Sequence, residues 1–232
     1  MSTFILHLET ATEICSVALS ENQTCIGLLE SSESNAHSKN ILPFIDEVLK
    51  NNGLKPSDLS AVSVSSGPGS YTGLRIGVST AKGLAYGNDI PLIAVPTLQI
   101  IQNGNRSFQK QKSDFFMPML DARRMEVYLQ LFDSESHPVS EIEAKIVENG
   151  CFNELLSQHY IVFCGNGMPK CQSLLSSHYY AIFGTVETSA KFMIEPALEK
   201  YRHQQFENTA YFEPFYLKQF IAGKPKVKGL YE

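Results

Sequence analysis

The sequence predicts an α/β protein of two lobes, each built in the order β-β-β-α-β-α-β. Three observations predict it. Short apolar runs at Phe4–Leu8, Ile14–Leu19 and Cys25–Leu29, joined by polar links, read as an antiparallel meander. Two helical patterns then alternate with buried runs at Ala61–Val64 and Pro91–Val95. The same order returns loosely after residue 113.

Phe4-Ile5-Leu6-His7-Leu8 is a near-continuous apolar run, as a central strand requires. Glu9 to Glu13 is turn-like, and Glu21-Asn22-Gln23 turns the second strand into the third. Ser38 or Asn40 opens a helix with Ile41, Leu42, Ile45, Val48 and Leu49 on one face. Pro43 is tolerable only near its first turns, and Gly53 stops it. After the fourth strand, Gly67, Pro68 and Gly69 make a tight turn, and Ser70 or Thr72 caps the helix from Tyr71 to Gly87. Gly73, Gly77, Ala81 and Ala85 form one stripe of that helix, bordered by Ile76, Thr80 and Gly83. Arg75, Ser79, Lys82 and Tyr86 lie opposite. Each interior glycine costs about 1 kcal/mol against alanine. Its recurrence at 73, 77 and 83 points to a close approach, either of the helix on its own sheet or of a second helix, which another chain can supply.

Asn103 to Ser113 reads as a link between lobes. Strands follow at Phe115–Leu120, Glu126–Phe132 and Ile142–Val147, then a short helix over Phe152–Ser157 and a strand at Tyr160–Cys164. A helix starts after Pro169, Ala181–Phe183 reads as a strand, and a helix near Ala190–Gln204 closes the lobe. The expected division is 1–104, 105–217 and a basic tail over 218–232 carrying Lys218, Lys224, Lys226 and Lys228.

Composition narrows the function. The net charge of −5 over 232 residues excludes electrostatic nucleic-acid binding by the chain as a whole. The five cysteines show no CxxC spacing and no signal peptide is visible, which reads as reduced thiols in a cytoplasmic protein. The apolar runs are too short to span a bilayer.

Two catalytic readings of the glycine turn fail on spacing. A phosphate-binding loop needs a second glycine five residues after the first, followed by lysine, and Thr72 stands there instead. A hydrolase elbow around Ser70 needs glycine where Pro68 and Thr72 stand. What remains is a turn that is structural first, with an anion site at Gly67 and Gly69 before a helix N-terminus as the alternative. No two of the six histidines lie four apart, so no metal-binding pair is visible. Cys164, between a strand and Gly165, reads as a buried thiol and His7 as a core histidine. Asp121 sits at a strand end where inter-lobe sites form. It is either a site residue or a turn carboxylate paired with Arg123 or Arg124. Glu9 and Thr10 either face a nucleotide or form a capped turn.

The β-β-β-α-β-α-β unit is the plan of ribonuclease-H and actin-like lobes, and two in series resemble the sugar-kinase/actin/Hsp70 class. Leu6-His7-Leu8-Glu9-Thr10-Ala11-Thr12-Glu13-Ile14-Cys15-Ser16-Val17-Ala18-Leu19 resembles the N-terminal signature of the TsaB (YeaZ) family. So do Ser66-Gly67-Pro68-Gly69-Ser70-Tyr71-Thr72-Gly73-Leu74-Arg75-Ile76-Gly77, the run Asp121 to Tyr128, and Glu213-Pro214-Phe215-Tyr216-Leu217. Glu9 stands where many relatives carry Asp. The resemblance implies a non-catalytic subunit that activates a TsaD-type transferase in forming threonylcarbamoyladenosine beside the tRNA anticodon, with a TsaE-type ATPase joining. It implies contact with tRNA through the complex, a homodimer when the chain is alone, and no cofactor held by this chain alone. ATP or ADP would sit at the joint interface. The implied contact residues are Ile41, Ile45, Gly73, Ile76, Gly77, Thr80, Ala81 and Leu84. The rival expectation is a stand-alone ATP-dependent kinase or glycoprotease-like hydrolase of the same fold, acting through Glu9, Thr10, Gly67 and Asp121. A third is a homodimeric scaffold with no connection to tRNA.

Overall fold

A computed structural model describes residues 2–33, 36–105 and 113–218. Lys224, Lys226, Lys228 and most of the expected link lie outside the described residues. The first sheet contains β1 (Phe4–Glu9), β2 (Cys15–Glu21), β3 (Thr24–Ser31), β4 (Ala61–Ser65) and β5 (Leu92–Val95) in the order β3-β2-β1-β4-β5. β1, β2 and β3 pair antiparallel, while β4 and β5 run parallel to β1. The second sheet contains β6 (Phe115–Asp121), β7 (Glu126–Leu129), β9 (Glu143–Ile146), β10 (Ile161–Cys164) and β11 (Ala181–Phe183) in the order β11-β10-β6-β7-β9. Its antiparallel and parallel pairs fall in the same places, so the two sheets share one topology. The protein is α/β with two actin-like, ribonuclease-H-like sheets. The expected strand Glu126–Phe132 is broken, and β8 (Phe132–Asp133) pairs separately with β6.

β1 is central and its Ile5, Leu6 and Leu8 are fully buried, which explains its unbroken apolar run. His7 lies among them. Its two ring nitrogens are 2.7 Å from the Ser63 hydroxyl and 2.9 Å from the Ser20 hydroxyl, and burial pushes its pKa down to about 3. It is a satisfied, neutral core histidine.

The helix α1 (Ala36–Asn51) starts earlier than expected, so Pro43 falls in its interior, on the exposed side. α2 (Tyr71–Asn88) is capped by Ser70, whose hydroxyl accepts from the Gly73 amide at 3.2 Å. α3 (Thr97–Gly104) was not expected, and it occupies the start of the supposed link. α4 (Asn153–Leu156) and α5 (Met168–Leu175) cover the second sheet. Two 3₁₀ turns (Pro56–Asp58 and Ala190–Met193) and α6 (Ile194–Arg202) complete the helices described. None is long and apolar enough to cross a membrane among the described residues.

The lobes exchange helices. Leu98 and Ile101 of α3 pack with Phe116, Leu120, Phe132 and Val162 of the second sheet. Ala190, Met193, Ala197 and Leu198 pack with Ile5, Ala18, Ile93 and Val95 of the first. Residues 190–217, which the sequence reading placed with the second lobe, therefore belong by packing to the first. An amphipathic pattern identifies a helix's apolar face but not the sheet it covers.

Candidate functional site

Between the lobes lies a cleft of about 1020 Å³. Its walls are the β1–β2 turn (Ala11 to Glu13), the stretch from Pro68 to Thr72, the β6–β7 turn (Asp121 to Arg124) and a C-terminal strap at Phe215 to Lys218.

The turns facing this cleft are tied to the chain's own side chains. The Ala11 amide donates to Glu9 Oε1 at 2.6 Å, Thr10 to the Ser65 hydroxyl at 3.3 Å and Ile14 to the Thr12 hydroxyl at 3.3 Å. The Ser70 amide donates to the Ala11 carbonyl at 2.7 Å. Across the cleft, the Asp121 amide donates to Asn166 Oδ1 at 3.0 Å, and the Arg123 amide to Asp121 Oδ1 at 2.7 Å.

Glu9 and Thr10, expected either to face a nucleotide or to form a capped turn, are fully buried, Thr10 against α2 and Glu9 on the opposite face of the sheet beside Ser16 and Ser65. Desolvation pushes the Glu9 carboxyl up to about 7, against hydrogen bonds from Ala11 and Ser65, and its Oε2 has no partner. Gly67, expected at an anion site, has a φ of +107° and packs on the strap. A Cβ there would lie 2.5 Å from the Phe215 carbonyl oxygen. Gly69 does line the cleft, but with its Cα pressed on Ala11. Asp121 lines the cleft too, and its cationic partner is Lys170 of α5 rather than a neighbouring arginine. Burial opposes its charge, but Lys170 and the Arg123 amide hold the carboxyl below its usual range. Cys164 is a buried thiol, pushed up to about 12 by desolvation. No group of three or more His, Cys, Asp or Glu capable of holding a metal occurs among the described residues.

Glu9 sets a pH dependence. Its folded pKa lies above the ordinary 4.5, so the unfolded chain loses its proton first. Stability from this group is full below about 4.5 and falls as pH rises towards 7, by roughly 3 kcal/mol. The depressed pKa of His7 acts in the opposite sense, removing stability as pH falls below 6.5. Glu9→Gln is therefore expected to lose less melting temperature than the parent between pH 5 and pH 8. Parallel thermal profiles for the two proteins would refute the assignment.

The helix face is the second candidate. Gly73, Gly77 and Ala81, expected at a partner contact, face inward: Thr10, at the start of the β1–β2 turn, lies against Gly73 and Gly77, and Ala81 packs in the first lobe's core. A Cβ on Gly73 would fall on the Thr10 carbonyl oxygen, and one on Gly77 on the Thr10 hydroxyl, both closer than the 3.0 Å that real Cβ atoms keep. Ile41 and Ile45 are likewise 3 % and 5 % exposed, inside the first lobe's core. The small-residue stripe is a seat for the chain's own turn. Ile76, Thr80 and Leu84 are half-buried and reach the surface of α2, which also carries the exposed Gly83 and Tyr86; Leu42 of α1 is exposed as well. Around Gly83 and Gly87 a Cβ would meet nothing within 4 Å. Sequence reading missed Lys170 and the strap. The motif Glu213 to Leu217 marked the strap without indicating what it touches.

Comparison with known proteins places this arrangement. Residues 14–191 match a family model described as TsaD: tRNA N6-adenosine threonylcarbamoyltransferase. A Haemophilus influenzae protein named tRNA threonylcarbamoyladenosine biosynthesis protein TsaB is 39 % identical over 124 residues, which are 53 % of this chain and 51 % of that one. A protein of the same name from Buchnera aphidicola of Acyrthosiphon pisum is 32 % identical over 155 residues, 64 % of this chain and 69 % of that one. The chain belongs to the TsaB (YeaZ) family. The match spans about half the length of the first of these relatives. YeaZ from Pseudomonas aeruginosa shares the fold, with a TM-score of 0.74 at 24 % identity over 93 % of this chain and all of that one. The Clostridium difficile activator of 2-hydroxyisocaproyl-CoA dehydratase, solved with bound ADPNP, has a TM-score of 0.50 at 9 % identity, over 88 % of this chain and 97 % of that one.

Bound nucleotide in that distant neighbour prompts a test of fit. Triphosphate binding in a cleft needs converging free amides and a carboxylate to hold the accompanying cation. Here Glu9 is fully buried and outside the cleft lining, Asp121 is held by Lys170, and the Ala11, Ser70, Asp121 and Arg123 amides of the cleft walls already donate within the chain. Neither Glu9 nor Asp121 is left free to hold the cation that accompanies a triphosphate.

Proposed function

We propose that this chain is the non-catalytic TsaB-type subunit in tRNA threonylcarbamoyladenosine formation, docking on a TsaD-type transferase through the outer face of α1 and α2. The observation that supports an accessory role is the internal commitment of Asp121, the carboxylate at the end of β6, to Lys170 and the Arg123 amide. The chain's contribution is mechanical. Ile76, Thr80, Gly83 and Leu84 offer a low-relief ridge on which a partner helix can lie. The same ridge pairs two copies when the partner is absent. A TsaE-type ATPase joins the assembly, tRNA is contacted through the complex, ATP or ADP acts at the joint interface, and the setting is the cytoplasm.

The test supplies a TsaD-type subunit with threonylcarbamoyl adenylate and tRNA, with and without this chain. Transfer is expected to depend on the chain, and calorimetry on the chain alone is expected to register no stoichiometric ATP binding. Turnover of ATP by the isolated chain, with transfer indifferent to its presence, would favour the kinase or hydrolase reading instead.

A further inference from the structure

The strap has no role in the reading above, yet it is anchored at every stage. The Glu207 amide donates to the Leu92 carbonyl at 2.8 Å, and Lys82 Nζ of α2 donates to the carbonyls of Ala210 and Phe212 at 3.2 and 3.0 Å. Phe212 packs against the first lobe's core. The Phe215 amide donates to the Ser66 carbonyl at 2.7 Å, and its own carbonyl closes over Gly67. The Tyr216 ring lies 4.9 Å from that of Tyr71, and the Arg75 guanidinium sits 4.3 Å over the Tyr71 ring. The next anchor crosses the cleft: Lys218 pairs with Glu126 at the start of β7, in the second lobe.

Residues 207–218 thus follow the flank of α2 from Lys82 back to Tyr71 and end on the opposite wall of the cleft. Their route has two consequences. Besides the exchanged helices, a segment outside both sheets bridges the Gly67 turn to the β6–β7 side of the cleft. The same segment also lies along the α2 flank, half-covering Tyr71 and Lys82 and leaving Arg75 exposed between them.

We propose that the strap is a latch, which couples the opening of the inter-lobe cleft to the exposure of the α2 flank. Seated, it holds the lobes together across Lys218 and Glu126. Released at Tyr216 and Lys218, it lets the lobes part and bares α2 from Tyr71 to Lys82. The link to partner docking rests on the proposed subunit role, but the latch does not, and the following test needs no partner.

Amide hydrogen exchange on the full chain reads it out at Ser66–Leu74 and Asp121–Tyr128, with Ile161–Cys164 as an internal reference. Lys218→Glu is expected to speed exchange at both reporting segments about 3-fold, as loss of a partly exposed ion pair would. Tyr216→Ala is expected to speed it at Ser66–Leu74 about 10-fold. The charge swap of Lys218→Glu with Glu126→Lys is expected to restore the protection lost in Lys218→Glu. Unchanged exchange in both single variants, failure of the swap to recover it, or equal acceleration at the reference segment would overturn the latch.

Discussion

Gly73→Ala is expected to destabilise the protein by at least about 3 kcal/mol, lowering its melting temperature by roughly 10 °C. In an open helix the same change would gain up to about 1 kcal/mol. Here the new methyl would fall on the Thr10 carbonyl oxygen, a backbone atom that can yield only by moving the β1–β2 turn. That turn is pinned by the Ala11–Glu9 and Thr10–Ser65 bonds and by contact between the Thr12 and Thr188 hydroxyls. Gly83→Ala on the same helix meets nothing within 4 Å and should stabilise by up to about 1 kcal/mol. Thermal or urea unfolding of the two variants checks the contrast. Equal effects would mean that α2 does not seat on Thr10.

Gly83→Arg is expected to have the largest effect on assembly while leaving the fold intact. The site is exposed, so a long side chain there should change stability by under about 1 kcal/mol. It would stand on the ridge between Thr80 and Tyr86, where a helix from a second subunit must come within about 8–10 Å, axis to axis. Association through this face should weaken at least tenfold, as measured by light scattering across a dilution series. Gly77→Arg would be a poor substitute, because Gly77 lies buried against Thr10 and the variant would unfold before it reported on any interface.

The glycines also mark how far the sequence could be read. Periodicity placed α2 and its small-residue stripe correctly, because both follow from local spacing. It left open what fills the stripe, since a neighbouring helix and a crossing turn demand the same absence of side chain. Thr10 decides the matter, and its approach is set by tertiary structure. The central strands were legible from burial on both faces. α3 was not, because its eight residues run into the polar stretch that follows and its apolar face answers to the opposite lobe. At the cleft, Asp121 was visible as a strand-end carboxylate. Its pairing with Lys170, 49 residues away, was not. For Glu9, a site residue and a turn cap look alike in sequence, and burial with the Ala11 amide on its carboxylate makes it the cap.

The central claim is that the outer ridge of α2, rather than the cleft, is where this chain does its work. Light scattering on a sizing column tests it most directly, with the parent and Gly83→Arg run alone and mixed with a TsaD-type subunit. The account predicts a parent dimer that converts to a one-to-one complex, and a folded Gly83→Arg monomer that forms neither. A Gly83→Arg protein that still dimerises and still binds the partner would contradict it.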